Sequence, residues 1–189
     1  KESLELYNKV LKLDPANAIA KAEVIDVMEA SMTPAEYVQY LVEKAPSDVS
    51  VQSKLYNYAY KLHKENKIKE AISAYESVIK VNSENVDAYV NLAICYASQN
   101  NYKNAQSILN EAKSKFPTNN LVLKTLQDVN KDSLSTILAE ASKLYENKDY
   151  NSAIQKYSMV NPATKDSLLG IAASYQALNN YDNAIDYYK

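Results

Sequence analysis

Sliding the chain along itself by 34 residues lays Lys69-Glu70-Ala71-Ile72 over Lys103-Asn104-Ala105-Gln106. The same shift carries Leu55 onto Tyr89, Tyr58 onto Leu92, Ala59 onto Ala93, Leu62 onto Tyr96, Tyr75 onto Leu109 and Val78 onto Ala112. A unit this short cannot bury a core alone, so successive copies must stack and share one. Within each copy the apolar positions recur three and four residues apart, which puts them on one face of a helix. Breaks at Asn66 and Asn100 split each copy into two such helices. The pattern predicts helical hairpins stacked in series.

Composition agrees. One glycine and 5 prolines in 189 residues are too few for the many turns of barrels, sandwiches and doubly wound sheets. All 21 basic residues are lysine, so the chain lacks the bidentate guanidinium favoured for phosphate and nucleic acid. The net charge is -2 and no basic stripe occurs, so neither nucleic acid nor an anionic membrane surface is the expected partner. No apolar run approaches the roughly 20 residues that span a bilayer, so membrane insertion is not expected. A single cysteine, Cys95, cannot form an internal disulfide, and nothing indicates an oxidising compartment; the compartment stays unassigned, cytoplasmic by default.

The residues above resemble the tetratricopeptide repeat family, a helix-turn-helix with small residues where helices cross closely and a proline near the second helix's end. The resemblance implies an all-α, right-handed superhelical solenoid of antiparallel helix pairs. The 86–119 unit matches best, with Tyr89, Leu92, Ala93 and Tyr96 on its first helix, Tyr102, Ala105, Leu109 and Ala112 on its second, and Phe116-Pro117 at its end. The register extends to 52–85 and to a degenerate 18–51, where Lys21 and Tyr37 replace an apolar residue and an alanine. Residues 1–17 read as a lone second helix, 134–164 as a unit shortened by one turn, and 165–189 as a truncated one. The chain thus reads as a piece of a longer array, begun and ended in mid-repeat. Residues 120–133 are extra. Leu121, Val122, Leu126 and Val129 give them an apolar face, and Asn130-Lys131-Asp132-Ser133 resembles a turn and N-cap. The favoured reading is a separate short helix or joint between subdomains; the alternative is one long helix through Tyr145.

Where the family commonly turns on glycine, this chain has Asn66, Asn100 and Asn179, asparagine being the next most tolerant of a left-handed backbone. Lys148 and Met32 depart from that rule. Eleven of 17 tyrosines fall on packing positions: Tyr7, Tyr58, Tyr75, Tyr89, Tyr96, Tyr102, Tyr150, Tyr157, Tyr175, Tyr181 and Tyr188.

In the family the first helix of each repeat lines the concave face. The resemblance therefore assigns that groove to Tyr56, Asn57, Tyr60 and His63, then Val90, Asn91 and Ile94, then Leu138 and Tyr145. Asp26, Glu29, Asp87, Glu146 and Asp166 form an acidic rim against Lys64, which favours a neutral or mildly basic peptide. Asn57 and Asn91 match the asparagine of the carboxylate clamp of some members, but that clamp's lysine and arginine are missing. His63 is the only histidine and no ligand set or nucleophile is spaced around it, so neither metal nor catalysis is expected. Cys95 reads as a small buried residue, and Gly170 alone cannot make a phosphate loop. No cofactor is implied. The expected function is a non-enzymatic scaffold that binds a peptide or helix of a partner protein. Self-assembly, or service as the accessory segment of a larger enzyme or receptor, are the alternatives.

Overall fold

The structure, a computed structural model, describes residues 2–189; Lys1, the first residue of the expected half repeat, lies outside them. Among the described residues there are eleven α-helices and no strand. The chain divides into two compact units, Lys1–Tyr96 and Ala97–Lys189. The first holds α1 (Glu2–Leu13), α2 (Ala18–Ser31), α3 (Pro34–Lys44), α4 (Val49–Lys64), α5 (Ile68–Val81) and most of α6 (Val86–Ser98). The second holds α7 (Tyr102–Lys115), α8 (Asn120–Glu146), α9 (Tyr150–Tyr157), α10 (Lys165–Ala177) and α11 (Tyr181–Tyr188). In the first unit α4 packs on α3 and α5. In the second α8 packs on α7 and α9, and α10 on α9 and α11.

Side chains mark where helices start. Thr33 accepts from the Glu36 backbone N–H while the Glu36 carboxylate accepts from the Thr33 N–H, a reciprocal cap on α3. Asn17, Asp48, Asn101, Asp149 and Asn180 cap α2, α4, α7, α9 and α11 in the one-sided way. The four tight turns use a left-handed residue, Asn66 (φ 58°), Asn100 (φ 56°), Lys148 (φ 63°) and Asn179 (φ 59°). Asparagine therefore does the work of glycine at three of them, and lysine is held in the same conformation at the fourth. Met32, with φ -107° and ψ 155°, leaves α2 by an extended residue instead.

The expected break within 120–133 is corrected: α8 runs unbroken for 27 residues. No glycine or proline interrupts 120–133, and one side chain of the expected turn and a hydroxyl just beyond it are engaged in ways that suit a continuous helix. The Asn130 carbonyl oxygen accepts from Gln106 Nε2 at 2.9 Å, and the Asp132 backbone carbonyl accepts from Ser135 Oγ at 2.9 Å. Val122, Thr125 and Val129 bury one face of its first half, and Ala141 is buried in its second. The extra residues lengthen the first helix of the α8–α9 pair and add no odd helix, so the alternation of first and second helices is kept.

Tyr75 and Tyr89 are fully buried, and Tyr58 and Tyr157 nearly so; Tyr181 and Tyr188 of α11 are exposed. Tyr37, which replaces a small residue in the degenerate unit, is buried as well and meets Tyr58 edge-on, ring centroids 4.6 Å apart.

Candidate functional site

Seven of the assigned groove residues lie in the first unit, on α4 and α6. Residues 56, 60 and 63 recur at turn spacing on α4 and share one stripe. The Asn91 amide on α6 donates to the Tyr56 hydroxyl at 3.1 Å, which ties the two helices side by side. Tyr60 is 45% exposed and Ile94 40%, while Asn57 is also exposed. Val90 is 4% exposed and belongs to the core, so it offers no contact surface. Tyr56 and Asn57 further border a cleft of about 220 Å³ between α4 and the end of α5.

Tyr75, from α5, lies beneath this surface. Tyr56 tilts over its ring at 6.1 Å and His63 meets it edge-on at 6.2 Å. The Tyr75 hydroxyl and His63 Nδ1 are both buried without a hydrogen-bond partner. Burial, with the Lys64 ammonium adding to it, pushes the His63 imidazole below its ordinary 6.5. Burial raises the Tyr56 phenol, with Asp87 the next contributor. Burial also pushes the Cys95 thiol up to about 11, leaving it a buried, protonated side chain.

The charges at this surface differ from a simple acidic rim. Lys54 Nζ lies 2.6 Å from Asp26 and Lys61 Nζ 2.7 Å from Glu29, both lysines reaching across from α4 to α2. Sequence register placed the two acids and overlooked these lysines, because a flank position of α4 shows its reach only once α2 is beside it. Tyr75 was likewise visible only as a packing residue.

Leu138 and Tyr145 belong to α8 of the second unit. Leu138 packs, half-buried, against the cluster of Ala141, Ala153, Tyr157 and Ile171, and Tyr145 meets Tyr150 edge-on at 5.3 Å. Glu146 and Asp166 are in that unit too. Among the described residues no three His, Cys, Asp or Glu side chains come together as a metal site, and no helix is long and apolar enough to cross a membrane.

Profiles of the family described as "Tetratricopeptide repeat" match residues 62–128 and 166–189. The TPR repeat-containing protein MJ1428 of Methanocaldococcus jannaschii is 32% identical over 100 residues, which is 50% of this chain; the chain spans 16% of that relative's length. Among solved structures, MamA (residues 41 to the end) from Desulfovibrio magneticus RS-1 is 14% identical, covering 100% of this chain and 92% of that one, with a TM-score of 0.41. YrrB, titled a TPR protein with an unusual peptide-binding site, is 14% identical, covering 97% and 89% respectively, with a TM-score of 0.38.

Proposed function

Since the chain belongs to the tetratricopeptide repeat family, we propose that it is a protein-interaction scaffold whose first unit binds a short segment of another protein across α4 and α6. The observation that carries this reading is the pair Tyr60 and Ile94. Both are large, apolar and more than a third exposed, and they stand on two helices joined through Asn91 and Tyr56. Exposed apolar side chains held in a fixed relation, with polar neighbours, favour a partner surface over random exposure. Asn57 and Asn91 offer amides to a peptide backbone, and His63 extends the stripe.

The partner segment is uncharged and apolar. Asp26 and Glu29 are matched by Lys54 and Lys61, and with Asp87 and Lys64 counted as well the charges on and beside the surface sum to zero. A preformed surface also loses little entropy when an extended segment docks.

Selection from a displayed peptide library on the folded chain tests the proposal. Binders should be neutral and aromatic or aliphatic, and Tyr60→Ser with Ile94→Ser should weaken them about tenfold or more, as truncation of interface anchors does. Binders indifferent to both substitutions would move the site elsewhere. Concentration-dependent sedimentation abolished by the same pair would instead assign the surface to self-assembly.

A further inference from the structure

The lengthened α8 has a consequence in the second unit. Its middle stretch, the start of α7 and the α9–α10 connection enclose a cleft of about 770 Å³. The walls are braced: the Tyr102 hydroxyl and Thr136 Oγ1 are 3.1 Å apart, and Gln106 bonds Asn130 across the same gap. The floor is aliphatic, from half-buried Leu134 and Ile137 to Met159, which is 61% exposed. A methionine that exposed, at the edge of a cleft, is an adaptable apolar contact.

The charge of the lining is one-sided. Lys103, Lys131 and Lys156 face a single acid, Glu140, which is ion-paired with Lys156. This positive concentration occurs in a chain whose net charge is -2. Lys103 and Lys131 are exposed and make no ion pair among the described residues.

We propose that this cleft is a second docking site, and that its occupant is an acidic segment of a partner protein carrying an apolar anchor residue between carboxylates. The anchor seats on Leu134, Ile137 and Met159, and the carboxylates meet Lys103 and Lys131. Nucleic acid suits it less well: lysine supplies a point charge without a fork, and the single ring of the lining, Tyr102, is tied to Thr136 in the wall, so there is no row of aromatics along which bases could stack. The site lies wholly in the second unit and differs in charge preference from the neutral surface of the first, so either can fail without the other.

Anisotropy of a fluorescent synthetic peptide with a Leu-Phe pair between runs of Asp and Glu, added to the full chain, tests this. Analogues with Lys for the acids, or Ser-Ser for the pair, are the controls. The acidic apolar peptide should bind, and more weakly as salt rises. Lys103→Glu with Lys131→Glu should weaken it about tenfold or more. Glu140→Gln, which releases Lys156, should tighten it about two- to fivefold, a gain that a folding defect cannot mimic. Tyr60→Ser with Ile94→Ser should leave it unchanged. Equal binding of the lysine analogue, indifference to the lysine reversals, or weakening by Glu140→Gln overturns the proposal. Equal binding of the Ser-Ser analogue overturns the apolar anchor, and tighter binding of a single-stranded oligonucleotide of equal charge overturns the assignment to a protein.

Discussion

A Cβ atom on Gly170 would clash with the Tyr157 ring, well inside van der Waals contact of its Cζ, Cε1 and Cε2. Gly170 sits in the interior of α10, where glycine is about 0.5–1 kcal/mol worse than alanine. The tyrosine lies at the end of α9, 7% exposed, with its hydroxyl 3.0 Å from Ser142 Oγ on α8. One ring thus fills the space between three helices, and the chain's single glycine is the residue that makes room for it.

Gly170→Ala should therefore destabilise the protein by about 1–3 kcal/mol, the range for overpacking a core, although it improves helix propensity. Urea unfolding measures it. Tyr157→Leu in the alanine background should recover part of the loss, since it removes the clashing ring. A gain in stability from Gly170→Ala alone would contradict the packing.

Tyr75→Phe should be neutral or stabilising. The Tyr75 hydroxyl is buried and unpartnered, and deleting an unsatisfied group removes a desolvation penalty on the order of 1–3 kcal/mol that the fold otherwise bears. Tyr75→Ala should lose about 3–5 kcal/mol, because the ring is fully buried. Comparable losses for both variants in thermal melts would mean that the hydroxyl has a partner.

Two substitutions in the turns should stabilise. Lys148 is left-handed at φ 63°, a conformation that costs an ordinary residue about 1–2 kcal/mol, so Lys148→Gly should gain about 0.5–1 kcal/mol after the added freedom of the unfolded chain. Asn66→Gly should be nearly silent by the same measure. Lys67 starts α5 where Asn101, Asp149 and Asn180 each cap their helix, yet it makes no side-chain cap. Lys67→Asp should add about 1 kcal/mol, and the exposed ion pair lost with Glu65 offsets little of it. Unchanged denaturation midpoints would count against the turn argument.

His63 should titrate below 6.5 in the folded chain, and as the only histidine its ring resonances are unambiguous. Its folded pKa is lower than its unfolded one, so on acidification the unfolded chain takes up the proton first. The stability it contributes is complete above the unfolded value and declines as the pH falls from there through the folded value. The urea midpoint should drop as the pH falls through the ordinary histidine value and below it, and His63→Gln should flatten that drop. A histidine titrating above 6.5 would mean that the ring gains a hydrogen-bonded acid instead of losing water.

The sequence alone determined the helix pairs, the left-handed asparagines at their turns and the burial of Cys95. Each of these is local or periodic: a repeat of 34, a three-and-four spacing, or one residue's tolerance of positive φ. It could not decide whether α8 breaks, because Asp132 and Ser133 are compatible with an N-cap and with a helix interior, and the choice rests on how both halves of α8 pack against α7 and α9. Nor could it show that Val90 turns inward, that Lys54 and Lys61 neutralise Asp26 and Glu29, or that Gly170 is there for Tyr157. Those facts depend on which residues from different helices come within a few ångströms of each other. That distance is set by packing, and no spacing along the chain encodes it.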